Sequence, residues 1–69
     1  MMKVYNTQVR YWFKDAAGFS GDLTKKELGE AIDFAITIAL ECDEEPVYEY
    51  GIYSMLTTYE DGTEEFKQY

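Results

Sequence analysis

Leu28, Ala31, Ile32, Ala35, Ile38, Ala39 and Cys42 recur at helical spacing, and this one apolar stripe decides most of what a 69-residue chain can become. It predicts an amphipathic helix over 25–42. Thr24 followed by Glu27 reads as a capping box, in which the hydroxyl accepts from the third helical amide and the carboxylate reaches back. Leu23 and Leu28 stand at the two positions of a hydrophobic staple, and Pro46 closes the helical region. A helix with a single apolar stripe has to bury it against a second layer, and the flanking segments supply a sheet.

Residues 3–14 alternate at period two. Tyr5, Thr7, Val9, Tyr11 and Phe13 fall on one side, and Val4, Asn6, Gln8, Arg10, Trp12 and Lys14 on the other. Residues 15–23 hold two glycines and read as a loop. Residues 47–60 form a long strand whose alternation breaks near Gly51, where a bulge or bend is expected. Asp61-Gly62 is a hairpin signal, after which 63–69 return as a short antiparallel strand suited to a sheet edge. The expected fold is α+β in the order β-α-β-β. It is a three-stranded, mostly antiparallel sheet with one amphipathic helix (25–42) packed on one face. If the first two strands are parallel neighbours, the crossover between them is right-handed.

This is one domain, 1–69, with a small core and marginal stability. The hydrophobic content of 46% separates it from a disordered acidic tail. The single cysteine rules out an internal disulfide and points to a reducing, cytoplasmic compartment. The start Met1-Met2-Lys3-Val4-Tyr5 lacks the apolar stretch of a signal peptide, so the chain is expected to be intact from its first residue. No apolar run reaches the roughly 20 residues needed to span a bilayer. Six basic and 14 acidic residues give a net charge of −8, which repels nucleic acids and anionic membranes and attracts basic protein surfaces.

Little in the sequence suggests catalysis. With no histidine, the commonest general base and metal ligand is missing. Cys42 has no activating partner and reads as a helix-face residue near the core. Gly18 and Gly21, followed by Lys25 and Lys26, precede a helix without forming a phosphate-binding fingerprint. The run Glu41-Cys42-Asp43-Glu44-Glu45 lacks the alternating ligands and turn glycine of an EF-hand loop. The expectation is a non-enzymatic protein without metal or cofactor.

The acidic residues instead gather. Glu27, Glu30, Asp33 and Glu41 lie on the outer helix face, and Asp43, Glu44 and Glu45 continue it into the connection. Lys25 and Lys26 in the first turn, with Glu41 and Asp43 at the end, both oppose the helix dipole. Phe34 falls by helical angle among these acids. An exposed aromatic ringed by carboxylates fits a basic protein partner. A second candidate surface is the sheet face left open by the helix, with Trp12 and with Tyr48 or Tyr50 exposed for a homodimer or partner.

A small, acidic, tyrosine-rich α/β chain without catalytic residues resembles phage-encoded inhibitors of host defence, such as anti-CRISPR proteins and DNA mimics. The resemblance covers size, charge and architecture and carries over no residue roles. It implies a decoy acting in the host cytoplasm, whose carboxylates occupy a basic groove of a nucleic-acid-binding protein, with no direct contact to nucleic acid or membrane. The alternative is a small homodimeric structural or adaptor module whose acidity serves solubility.

Overall fold

The computed structural model describes residues 3–69. The elements are β1 (Val4–Asp15), β2 (Gly18–Leu23), α1 (Lys25–Glu41), β3 (Tyr48–Tyr59) and β4 (Glu64–Gln68). The class is α+β as expected, but the sheet has four strands in the order β2-β1-β3-β4, all antiparallel. The extra strand is β2, in the segment that reads as a loop. Asp15 starts a tight turn in which its Oδ1 accepts from the amides of Ala17 (2.9 Å) and Gly18 (3.2 Å). Gly18 follows at φ 146°, and the chain returns along β1. This hairpin reverses the chain before the helix, so β3 runs antiparallel to β1 and there is no parallel crossover.

The helix begins where its sequence says. Thr24 Oγ1 accepts from the Glu27 amide at 3.1 Å, and the Thr24 amide donates to Glu27 Oε1 at 3.0 Å. It ends at Glu41 with Cys42 as cap. The Glu44 amide donates to the Ala39 carbonyl (2.8 Å) and the Asp43 amide to the Leu40 carbonyl (3.2 Å), with Asp43 left-handed at φ 55°. These two bonds define a Schellman motif, normally completed by glycine. Pro46 lies in the irregular connection that follows.

The helix packs on β1 and β2 and leaves β3 on the same face open. Leu28 and Ala39 are buried against it together with Phe13. Phe13 and Leu28 each contribute roughly 1.5–3 kcal/mol, so the core is thin. Cys42 is exposed rather than near the core, because it caps the helix one residue past its end, where the chain turns away. The bulge in β3 is at Tyr53, not Gly51: Arg10 pairs with Ser54 and Tyr11 with Ile52, leaving Tyr53 as the extra residue. Gly51 is needed for another reason, since a Cβ there would stand 2.7 Å from Nε1 of Trp12. The β3–β4 turn is a three-residue loop, Glu60-Asp61-Gly62. The Tyr59 amide donates to the Thr63 carbonyl (2.9 Å), and Gly62 has φ 91°. The final strand is an edge, as its acidic sequence predicts.

The molecule is an elongated slab of 53 × 17 × 14 Å. Its radius of gyration is 15.9 Å, against about 11 Å for a compact chain of this length. It exposes 5509 Å², where a compact chain of 8.1 kDa exposes about 4,500 Å². The surplus arises because the helix covers only one end of the sheet. Among the described residues no helix is long and apolar enough to cross a membrane.

Candidate functional site

The outer helix face is built by periodicity. At 100° per residue, Glu27, Glu30, Phe34 and Glu41 fall within about 60° of one another, and Asp33 lies about 100° from Phe34. All five side chains are exposed, Phe34 at 66%. The Schellman turn then folds the connection back beside the last turn, which makes Asp43, Glu44 and Glu45 spatially continuous with the helix. Phe34, Ala35 and Ile38 border an open cleft of about 330 Å³ whose other wall is Glu44, Glu45, Pro46 and Val47. The Asp15–Ala17 turn closes its end. Phe34, Glu44 and Glu45 therefore share one concave surface, with Glu30 and Glu41 beside it on the helix, while Asp33 belongs to the other flank.

Among the described residues none of these carboxylates is in an ion pair, and Glu27 alone feels a cation, the Arg10 guanidinium. The ion pair among the described residues is Arg10 Nε to Asp22 Oδ1 at 3.9 Å, between a half-buried arginine and an exposed aspartate near the N-terminal end of the helix. Such a pair contributes little to stability. The perturbed groups all have local structural causes. The Thr24 amide, and then its hydroxyl, hold Glu27 below the usual carboxylate range. The Thr63 hydroxyl and amide do the same for Asp61. Tyr59 is raised because its hydroxyl donates to Glu65 Oε2 at 2.9 Å. Each marks a cap, turn or strand pair rather than a reaction centre. No group of three His, Cys, Asp or Glu side chains is placed to hold a metal ion among the described residues.

The second candidate surface is rearranged. Trp12 lies over Gly51 on the face away from the helix, whereas Tyr48 and Tyr50 lie on the helix face and stack in line with Phe13. The three do not form one patch. The residues that join Trp12 are Phe19, stacked at a centroid distance of 6.1 Å, together with Lys14, Glu49, Tyr53 and Tyr69 around a shallow depression. Gly21 lets the Tyr53 ring reach the β2 backbone, since a Cβ there would meet Tyr53 Cε1 at 2.7 Å. Reading 15–23 as a loop hid Phe19 from this group. Its position opposite Lys14 follows only once β2 is recognised.

No protein-family model, curated protein or solved structure matches the chain.

Proposed function

We propose that the protein is a non-enzymatic acidic binding protein. It acts as an inhibitor or decoy that occupies the basic, nucleic-acid-binding surface of a partner, in the manner of phage anti-defence and anti-CRISPR proteins. The observation that carries this reading is the uncompensated carboxylate surface around Phe34, running from the helix into the Asp43–Glu45 connection. Two placements favour a role for this charge other than stability. The last helical turn contains no basic residue, and acids lie against the negative end of the dipole. Phe34 and Ile38 add an apolar anchor beside the charged rim, an arrangement in which a partner's contact could exclude water. An exposed lone Cys42 fits a reducing compartment, the host cytoplasm for a phage gene.

The test is binding to the basic protein recovered from host lysate, in competition with a nucleic-acid oligonucleotide. Affinity should fall steeply between low and moderate salt. Glu30→Lys with Glu44→Lys, or Phe34→Ala alone, should weaken binding by at least about tenfold. Asp33→Lys, on the other flank, should change it less. A partner that is not basic, does not bind nucleic acid, or is indifferent to both substitutions would overturn the proposal.

A further inference from the structure

The N-terminal half of β1 is an open sheet edge. β2 pairs only with Tyr11–Asp15, so on that side the backbone of Val4–Arg10 has no strand beside it, while β3 pairs along its other side. The segment Val4-Tyr5-Asn6-Thr7-Gln8-Val9 contains no charge and no proline. Val4 through Gln8 are all exposed, Tyr5 at 76%. Natural edges are normally guarded by charge, proline, a bulge or a covering element, and here the only such device is a one-residue bulge at Tyr5, where the pairing with β3 slips between Val4 and Asn6. The opposite edge of this sheet is guarded by charge, with Glu64, Glu65 and Lys67 on β4. An edge of six residues with neither charge nor proline, in a chain of net charge −8, is the exception in this molecule.

We propose that this edge pairs with the same edge of a second copy, β1 against β1 across a two-fold axis, joining two four-stranded sheets into one. A second copy is the occupant best matched to the edge, on two grounds. An antiparallel strand paired with itself closes on a two-fold axis and uses up the open part of β1, leaving the charged β4 edges and the short β2 edges outside, so it gives a dimer rather than a filament. The uncharged segment is the part of the chain where two strongly acidic molecules can approach. The register follows from the fold. Centred on Thr7, Val4 to Arg10 pair before Lys3 of the second copy meets Tyr11, where Leu23 of β2 already sits. Lys3 then arrives next to Asp22, which is exposed and acidic. This interface is distinct from a face-to-face dimer through Trp12, and it stands whether or not the acidic surface is a decoy.

In the centred register Thr7 faces Thr7 of the second copy, so charge placed there meets itself. Sedimentation equilibrium at about 100 µM should give twice 8.1 kDa for the wild type. Thr7→Glu and Thr7→Lys should each weaken association by at least about tenfold, and an equimolar mixture of the two should restore a dimer containing one of each. On the wild type itself, amide exchange over Val4–Arg10 should slow as concentration rises, a readout that needs no variant. A monomer at that concentration would overturn the proposal and leave the edge to a strand of another protein. A dimer unaffected by either charge would overturn it too, and would move the interface to one of the sheet faces.

Discussion

Asp43 ends the helix in a conformation that suits glycine, and replacing it should stabilise the protein. Its φ of 55° is left-handed, at the position after the cap where its own amide and that of Glu44 close the Schellman bonds. A side chain in that region costs about 1–2 kcal/mol, toward the lower end for Asp, whose short polar side chain can bond locally. Glycine removes this strain but returns roughly 0.4–1 kcal/mol through a freer unfolded chain. Asp43 also brings negative charge to the negative end of the dipole, and its loss should add about 0.3–1 kcal/mol. Asp43→Gly should therefore gain on the order of 1 kcal/mol, a rise in melting temperature of about 4–8 °C for a domain of this size.

Three variants separate the two contributions in thermal and urea denaturation. Asp43→Asn keeps a residue tolerant of positive φ and loses the charge, so its gain should fade in high salt. Asp43→Gly should keep most of its gain there. Asp43→Ala loses the charge but carries the full strain and should be no better than wild type. If Gly proves no more stable than Ala, the conformational account is wrong. If Asp43 also belongs to the partner surface, the glycine variant should be more stable and bind less tightly, opposing shifts that a purely structural residue would not produce.

Other changes test other parts of the fold. Gly51→Ala should force Trp12 off the sheet, at a cost of about 1–3 kcal/mol in urea unfolding, with a shift in the fluorescence of the lone tryptophan. Thr24→Ala should lose the capping box, for about 1 kcal/mol at neutral pH. Glu27 is depressed in the folded state chiefly by the Thr24 amide, so its contribution is present above the unfolded carboxylate value and lost as pH falls through the folded one. Thr24→Ala disturbs the reciprocal geometry that depresses Glu27, so its stability deficit should narrow in acid; a deficit constant from pH 7 to about pH 3 would show that the Glu27 side of the box contributes nothing.

The helix was legible because its signals are local and redundant. The 3.6-residue stripe, the Thr24–Glu27 spacing and Pro46 agree on its bounds, and the cap bonds are present in the structure. β2 was not legible from propensity, because Gly-Phe-Ser-Gly-Asp-Leu is poor strand material. Its turn did carry a signal: Asp15 at the first position and Gly18 at the fourth fit a type I turn. Missing that hairpin removed one reversal of chain direction, and hence the antiparallel placement of β3. The facing of Tyr48 and Tyr50 was lost with the pairing of β3 on β1, which sets Tyr50 opposite Phe13 and Tyr48 opposite Asp15 on the helix side, and the facing of the rest of β3 was lost at the bulge. One extra residue at Tyr53 moves every later side chain of β3 to the opposite face, which brings Met55 onto the helix side with Val9 and leaves Leu56 opposite Gln8. Along the helix the sequence period places Glu27, Glu30, Phe34 and Glu41 together, while Asp33 falls on the other flank. The concave shape of the acidic surface was not legible, because the cleft depends on where Pro46 and Val47 return past Phe34.

Charge and the open edge pull in opposite directions, and ionic strength should resolve them. Two copies that each carry −8 repel at every separation, so salt should strengthen β1–β1 association by screening that repulsion over about 8–10 Å. A basic partner is drawn by the same charge and released by the same salt. The two equilibria should therefore have salt slopes of opposite sign, measured as the dimer constant by sedimentation and the partner constant by competition. Charge removal should act likewise: Glu30→Lys with Glu44→Lys should tighten the dimer slightly while loosening the partner. Because the edge lies at the end of the slab away from the Asp43–Glu45 connection, both surfaces can be occupied at once. If the dimer also weakened with salt, the edge would be held by a charge pair such as Lys3 with Asp22 rather than by backbone pairing, and the argument from an uncharged strand would fail.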